Sequence, residues 1–166
     1  ASPAVRLRSD VARKRLVALA REQRSQPRDA ATLYSAAMHR KTLARLQALA
    51  TTAVEAGFAV IVDATFLHRE VRDSFRALAG QLAVPFVIID CEVAPTELRR
   101  RLIERERLQQ DASEADIKVM EQQLAIDQPL STEELACRLH VDSAEDQATL
   151  WRRFQKQLAS RGSAVR

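Results

Sequence analysis

Gly57-Phe58-Ala59-Val60-Ile61-Val62-Asp63-Ala64-Thr65 joins a helix stop signal, an unbroken apolar run and a carboxylate that closes it. β-Branched and aromatic residues without polar alternation suit a strand buried on both faces, as in a parallel sheet. Two further stretches repeat the pattern: Pro85-Phe-Val-Ile-Ile89 before Asp90, and Ala136-Cys-Arg-Leu-His-Val141 before Asp142. Ala4-Val-Arg-Leu7, before Arg8-Ser9-Asp10, is a fourth and weaker run.

Helical periodicity fills the intervals. Residues 10–21 repeat apolar positions at Val11, Leu16, Leu19 and Ala20, and residues 36–56 carry a stripe of Leu43, Leu46, Leu49 and Ala53 that Gly57 ends. Further helices are predicted over 69–82 and 95–108, the latter opened by Pro95 in its first turn. Ser113-Glu-Ala-Asp116, Ser131-Thr-Glu-Glu134 and Ser143-Ala-Glu-Asp146 read as capping boxes. They open a helix to about 126, a short turn, and a final helix through 158. Gln26-Pro27-Arg28-Asp29 reads as a loop. Strands alternating with helices define an α/β domain with a mainly parallel sheet, single over residues 1–166 and without internal repeats.

Composition narrows the function. The 166 residues are 46% hydrophobic, with three glycines and five prolines, which excludes disordered and collagen-like classes. The longest apolar run, residues 82–89, falls far short of the ~20 residues of a membrane span. Arg6, Arg8 and Asp10 interrupt any leader-like stretch. Cys91 and Cys137 have no metal-type spacing and are expected to be buried thiols of a reducing cytoplasm. Of the 26 basic residues 22 are arginine, against 22 acidic residues, giving a net charge of +4. Acidic neighbours throughout and few aromatics favour a solvated, salt-bridged surface over a nucleic-acid face. Arginine also suits a smaller phosphorylated ligand through its bidentate fork.

Ligands of open α/β sheets bind beyond the carboxyl ends of the strands, which singles out Asp10 and Asp63. Such a carboxylate suits a magnesium site or a general base, and it serves equally to cap the next helix. Both aspartates, followed by arginine-rich helices, favour a site. His68 is positioned to face the same cleft, whereas His39 and His140 have no partner pattern. Arg101 and Arg105 share a helix face at i, i+4 within Arg99-Arg100-Arg101 to Arg107. They read either as a phosphate clamp or as an exposed face balanced by Glu97, Glu104 and Glu106. No Gly-x-Ser-x-Gly elbow and no zinc-type His/Cys spacing occur. Trp151 and Phe154 are expected to pack the last helix on the sheet.

Three segments in order resemble the P-loop kinase-like ATPases of the AAA_33 type: residues 7–16 (Leu7-Arg-Ser-Asp10-Val-Ala-Arg-Lys-Arg-Leu16), residues 57–67 around Asp63-Ala-Thr65, and Asp111-Ala-Ser-Glu-Ala115. The resemblance implies a three-layer α/β/α fold, with a lid near residues 99–115. It implies ATP and Mg2+ as cofactors and a small-molecule phosphoryl acceptor in a bacterial, cytoplasmic protein. A fusion to an aminoglycoside-phosphotransferase-like domain is implied as well; a sheet opened at an internal edge would add a homodimer, and composition predicts neither membrane nor nucleic acid as a partner. Asp10 would lie at the acceptor pocket with Arg13 one turn on, Asp63 would be the carboxylate near magnesium, and Thr65 would line the same cleft. Arg101 and Arg105 would belong to the lid over the transferring phosphate. Such enzymes use Gly-x-x-x-x-Gly-Lys-Ser/Thr to cradle phosphate, and none of Gly57, Gly80 and Gly162 is followed by lysine. The strand and loop carrying that motif are expected upstream of Ala1, centrally in the sheet. The alternative is a non-catalytic interaction module with a degenerate nucleotide site.

Overall fold

The computed structural model describes residues 4–21, 23, 25, 32–108, 113, 115–142 and 146–162. The first pair of strands, β1 (Ala4–Arg8) and β2 (Ala59–Asp63), is joined through α1 (Ser9–Leu16) and α2 (Ala36–Glu55). Next comes α3 (Arg69–Gln81), then β3 (Ile88–Glu92), α4 (Pro95–Leu108), α5 (Ile117–Ile126) and α6 (Thr132–Leu135). The chain continues through β4 (Arg138–Asp142) into α7 (Gln147–Gly162). The fold is mixed α/β with short parallel strands. β1 pairs with β2 in the register Ala4↔Ala59 to Arg8↔Asp63, and β3 pairs with β4 from Ile88↔Arg138 to Glu92↔Asp142. Among the described residues the strands therefore form two parallel pairs, with no ladder between β2 and β3.

Ala12 of α1, Leu46 of α2 and Phe75 of α3 form the core over one face of the first pair, where Leu7, Val62 and Phe66 pack against them. The Phe66 and Phe75 rings meet edge-on at 5.2 Å. The opposite face carries Arg6 and Ile61, the latter 42% exposed. On α2 the buried stripe is Met38, Thr42, Leu46 and Ala50. The Thr42 hydroxyl donates to the Met38 carbonyl at 2.8 Å, so it is buried without an unmet polar group.

Three helices end in one motif. The amides of Leu19, Phe58 and Val84 donate to the carbonyls of Lys14, Ala53 and Ala79, while those of Ala18, Gly57 and Ala83 donate to Arg15, Val54 and Gly80. These are Schellman closures, whose pivot residue must be left-handed. The pivots are Ala18 (φ 57°), Gly57 (φ 84°) and Ala83 (φ 52°). Only the second is glycine, so α1 stops at Leu16 although periodicity extends it to residue 21.

Other boundaries also move. β3 begins at Ile88, not Pro85, because its ladder starts where the Ile88 amide meets the Cys137 carbonyl at 3.0 Å. Proline has no amide to contribute there. Asp90 therefore lies inside the ladder, 2.8 Å from Arg138 Nε, instead of closing the strand. Cys91 is exposed and Cys137 half-buried, so neither is a core thiol. The N-cap of α5 is Asp116, whose carboxylate accepts from the Val119 amide, not Ser113. Trp151 is 58% exposed and stacks on Phe154, while the Arg153 guanidinium of α7 donates to the His140 carbonyl of β4. The proposed loop at residues 26–29 and the Ser143 cap lie outside the described residues, while Asp146 accepts from the Ala148 and Thr149 amides at the start of α7.

One buried ion pair ties distant segments together. Arg72 of α3 and Glu134 of α6 are 5% and 1% exposed and joined twice, at 2.5 Å and 3.1 Å. Arg72 Nη1 also donates to the carbonyls of Phe66 and Gln128, and Nη2 to that of Pro129. Glu134 closes the expected capping box with Ser131.

Glu134→Gln should lower unfolding free energy by about 3–5 kcal/mol in urea titration, since it leaves a buried guanidinium without its counter-charge. Hydrogen bonds from Arg72 hold the Glu134 carboxyl down to about 2 from 4.5. Its contribution is then complete above 4.5 and lost as pH falls through about 2. An acid unfolding midpoint unchanged by Glu134→Gln contradicts this assignment. For the helix ends, Gly57→Ala should cost about 1–2 kcal/mol, and Ala83→Gly should restore about 0.5–1 kcal/mol, read from thermal midpoints. No atom lies within 4 Å of a Cβ built at Gly57, so that cost is backbone strain alone.

Candidate functional site

Parallel pairing brings the carboxyl ends of β1 and β2 together, with Arg8 opposite Asp63. The chain leaves β1 directly into α1, so Asp10 falls in the first helical turn. There it accepts a 2.9 Å bond from Arg13 Nη1, one turn on. The Arg13 guanidinium lies over the Tyr34 ring, 5.2 Å from its centroid. Partial burial, followed by the charges of Arg13 and His68, holds the His39 imidazole below its ordinary value. Asp10, Arg13 and Tyr34 thus meet where α1 begins and the chain enters α2.

His39 and Tyr34 have no motif of their own. The available signal is topological: a crossover helix runs antiparallel to its strands, so the first turns of α2 return to the carboxyl end of the sheet. Ser35 fixes that start by accepting from the Met38 amide.

Asp63 closes β2 with its side chain 39% exposed. Arg6 donates to it from Nε at 3.0 Å and Nη2 at 2.5 Å, and Arg8 Nε stands at 3.7 Å. All three contacts use Oδ2, and among the described residues no hydrogen bond falls on Oδ1, the atom that could meet a cation or its water. Thr65 is exposed on the following loop, whose Phe66 and Leu67 carbonyls are held by Arg72. One carboxylate and one hydroxyl suit Mg2+, which keeps most of its waters and relies on phosphate for other ligands. Among the described residues no three His, Cys, Asp or Glu side chains gather as a closed metal site.

The arginines of α4 lie elsewhere. Arg101 Nε donates to Glu97 at 2.7 Å, and Arg100 to Glu97 and Glu104. Arg105 donates to the Ala115 carbonyl at 2.5 Å, and Arg99 pairs with Glu121. Bonds from Arg100 and then Arg101 hold the Glu97 carboxyl down to about 2. No contact among the described residues joins Arg101 or Arg105 to Asp10 or Asp63, and α4 buries none of its residues. The charge-balanced helix face describes this state of the molecule.

A parallel α/β scaffold that gathers carboxylates and arginines beyond its strand ends belongs to the phosphate-handling α/β class. The comparison of families is more specific: the AAA_33 model, described as an AAA domain, matches residues 1–130, and the chain belongs to this P-loop kinase-like family. Such P-loop NTPases bind nucleotide with Mg2+. No curated protein matches the chain. Among the described residues no helix is long and apolar enough to cross a membrane.

Although its residue is exposed, Cys91 has its thiol pushed up by partial burial first, and then by the charges of Asp90 and Asp63. Cys91 should react with iodoacetamide more slowly than a free thiol at pH 8, and Asp63→Asn should raise the rate by about twofold. An unchanged rate separates the two strand ends electrostatically.

Proposed function

We propose that this domain belongs to an ATP-dependent small-molecule kinase. It transfers the γ-phosphate of ATP to a hydroxyl or phosphate of a small acceptor. The convergence of Asp10, Arg13 and Asp63 at one sheet end carries the reading. Asp10 is the base that takes the proton of an acceptor hydroxyl as its oxygen bonds to the γ-phosphorus and ADP leaves. Arg13 orients the Asp10 carboxylate. Asp63 Oδ1 and the Thr65 hydroxyl would hold Mg2+, which neutralises charge on the phosphates when bound. Arg101 and Arg105 belong to a lid that must exchange their present partners, Glu97 and the Ala115 carbonyl, for phosphate.

The sequence contains no Walker A motif. In this reading a further strand, carrying the phosphate-cradling loop, pairs between β2 and β3, and residues 1–166 alone have little kinase activity. Among the described residues β2 and β3 each pair on one edge alone, and with exposed Ile61 and Ile89 this supports that arrangement.

Intact mass of the protein from its native cells, set against the 18.6 kDa of these residues, is the first test. A larger product is expected, in which Asp63→Asn lowers ATP turnover by about 100-fold or more. Partner binding that survives Asp63→Asn without any wild-type turnover would replace the kinase with a non-catalytic interaction module. Robust ATP turnover by residues 1–166 alone overturns the strand assignment.

A further inference from the structure

We propose that Arg6 keeps Asp63 closed to a free divalent cation, so that a metal reaches this carboxylate only in the company of phosphate. The mention of phosphate rests on the kinase reading above, while the guarding of Asp63 rests on strand register and side-chain geometry. Side chains alternate along a strand, so Arg6 and Arg8 share the face of β1 turned away from Leu7 and the apolar core. On β2 the same alternation sets Ile61 and Asp63 on that face and Val62 against the core. The register places Arg8 opposite Asp63 and Arg6 opposite Ile61, one step back on the same face. From there the Arg6 guanidinium reaches forward along the diagonal. It donates to Asp63 Oδ2 from Nε at 3.0 Å and from Nη2 at 2.5 Å. Arg8 Nε makes a longer approach of 3.7 Å to the same oxygen.

The clasp adds little to stability. The Arg6 side chain is 63% exposed and that of Asp63 39%, and ion pairs in such solvated settings contribute weakly to folding. Its effect falls on Asp63 itself. Two donors on one oxygen orient the carboxylate, and the guanidinium offsets the single negative charge that a bare cation would seek. Among the described residues no group of three His, Cys, Asp or Glu side chains adds its charge there. A divalent ion held by protein alone needs several oxygen ligands, and Asp63 is one carboxylate already compensated. A divalent ion carried by phosphate oxygens brings a surplus of negative charge, which Arg6 attracts instead of repelling. Arg6 is thus a positioning residue that acts through Asp63 and sets which form of the metal the site admits.

The test is titration of the full chain with Mn2+ alone, followed by water-proton relaxation. The wild type and Asp63→Asn should bind Mn2+ equally weakly, because the clasped carboxylate takes no part. Arg6→Gln, at an exposed position, should bind about fivefold more tightly, the effect of removing one positive charge near a divalent ion in a solvated setting. Adding Asp63→Asn to Arg6→Gln should abolish that gain. Arg6→Lys keeps the charge and should stay within about twofold of the wild type. A merely structural contact would not raise metal affinity when it is lost. Equal Mn2+ affinity in the wild type and Arg6→Gln, a gain that survives Asp63→Asn, or Arg6→Lys matching Arg6→Gln overturns the proposal. The two readings fail separately, because turnover in the native product is measured with ATP and these titrations contain none. A gain of metal in Arg6→Gln without wild-type turnover leaves the guard and removes the kinase; turnover without that gain does the reverse.

Discussion

The Arg72 guanidinium is the joint on which the site-bearing end of the molecule depends. All three of its nitrogens are engaged, two with Glu134 and the rest of their capacity with the carbonyls of Phe66, Leu67, Gln128 and Pro129. Those carbonyls belong to two irregular segments that cannot satisfy them internally. A buried ion pair is often no more stabilising than a well-packed apolar pair. Here an apolar replacement would also strand several backbone acceptors, so the charge serves the carbonyls as much as its counter-ion. Two further bonds lock the same seam: the Gln128 amide donates to the Leu67 carbonyl, and the Arg69 amide to the Gln128 side chain.

That seam fixes the β2–α3 loop, which carries Thr65 and His68. Phe66 occupies a left-handed conformation (φ 48°) that a bulky residue adopts only where its surroundings impose it. Its ring packs on Phe75 and its carbonyl bonds Arg72, so the strain is held from both ends. Only Ala64 and Thr65 separate Asp63 from this anchored point. The loop therefore presents Thr65 and His68 from a rigid base, as a site requiring fixed geometry does.

The sequence was legible where local chemistry agreed with tertiary packing. Proline at the first turn placed the start of α4 at Pro95, and Ser131 with Glu134 placed α6, because each signal acts within a few residues. It failed where a distant partner decides. The start of β3 is set by Cys137, nearly fifty residues away, and the end of α1 by a left-handed alanine that propensity does not mark. Asp116 illustrates a subtler failure: the acid expected to complete a capping box is itself the cap. The positions of Asp10 and Asp63 beyond the strand ends were readable because the apolar runs stop there. The Arg6 clasp on Asp63, and the Arg13 guanidinium over the Tyr34 ring, required the parallel register and the return of the chain into α2.

The two strand pairs set the last constraint. An isolated pair of strands is marginal in water, and parallel strands are ordinarily covered on both faces. The first pair draws its stability from Ala12, Leu46 and Phe75 on one face, while Ile61 stays exposed on the other. The second pair has buried Leu139 and the neighbouring α7, while Ile89 is exposed. Each pair thus has one well-supported side and one apolar side chain left in water, and each has an outer backbone edge without a ladder. The charge of Asp63 at the end of β2 adds to that of Asp90 in raising the Cys91 thiol on β3. One inserted parallel strand would satisfy both edges at once, and its carboxyl end would emerge between Asp63 and β3. In the proposed kinase a strand between β2 and β3 would both occupy those edges and set the phosphate-cradling loop beside Asp63, so turnover without it would leave the kinase and remove the strand.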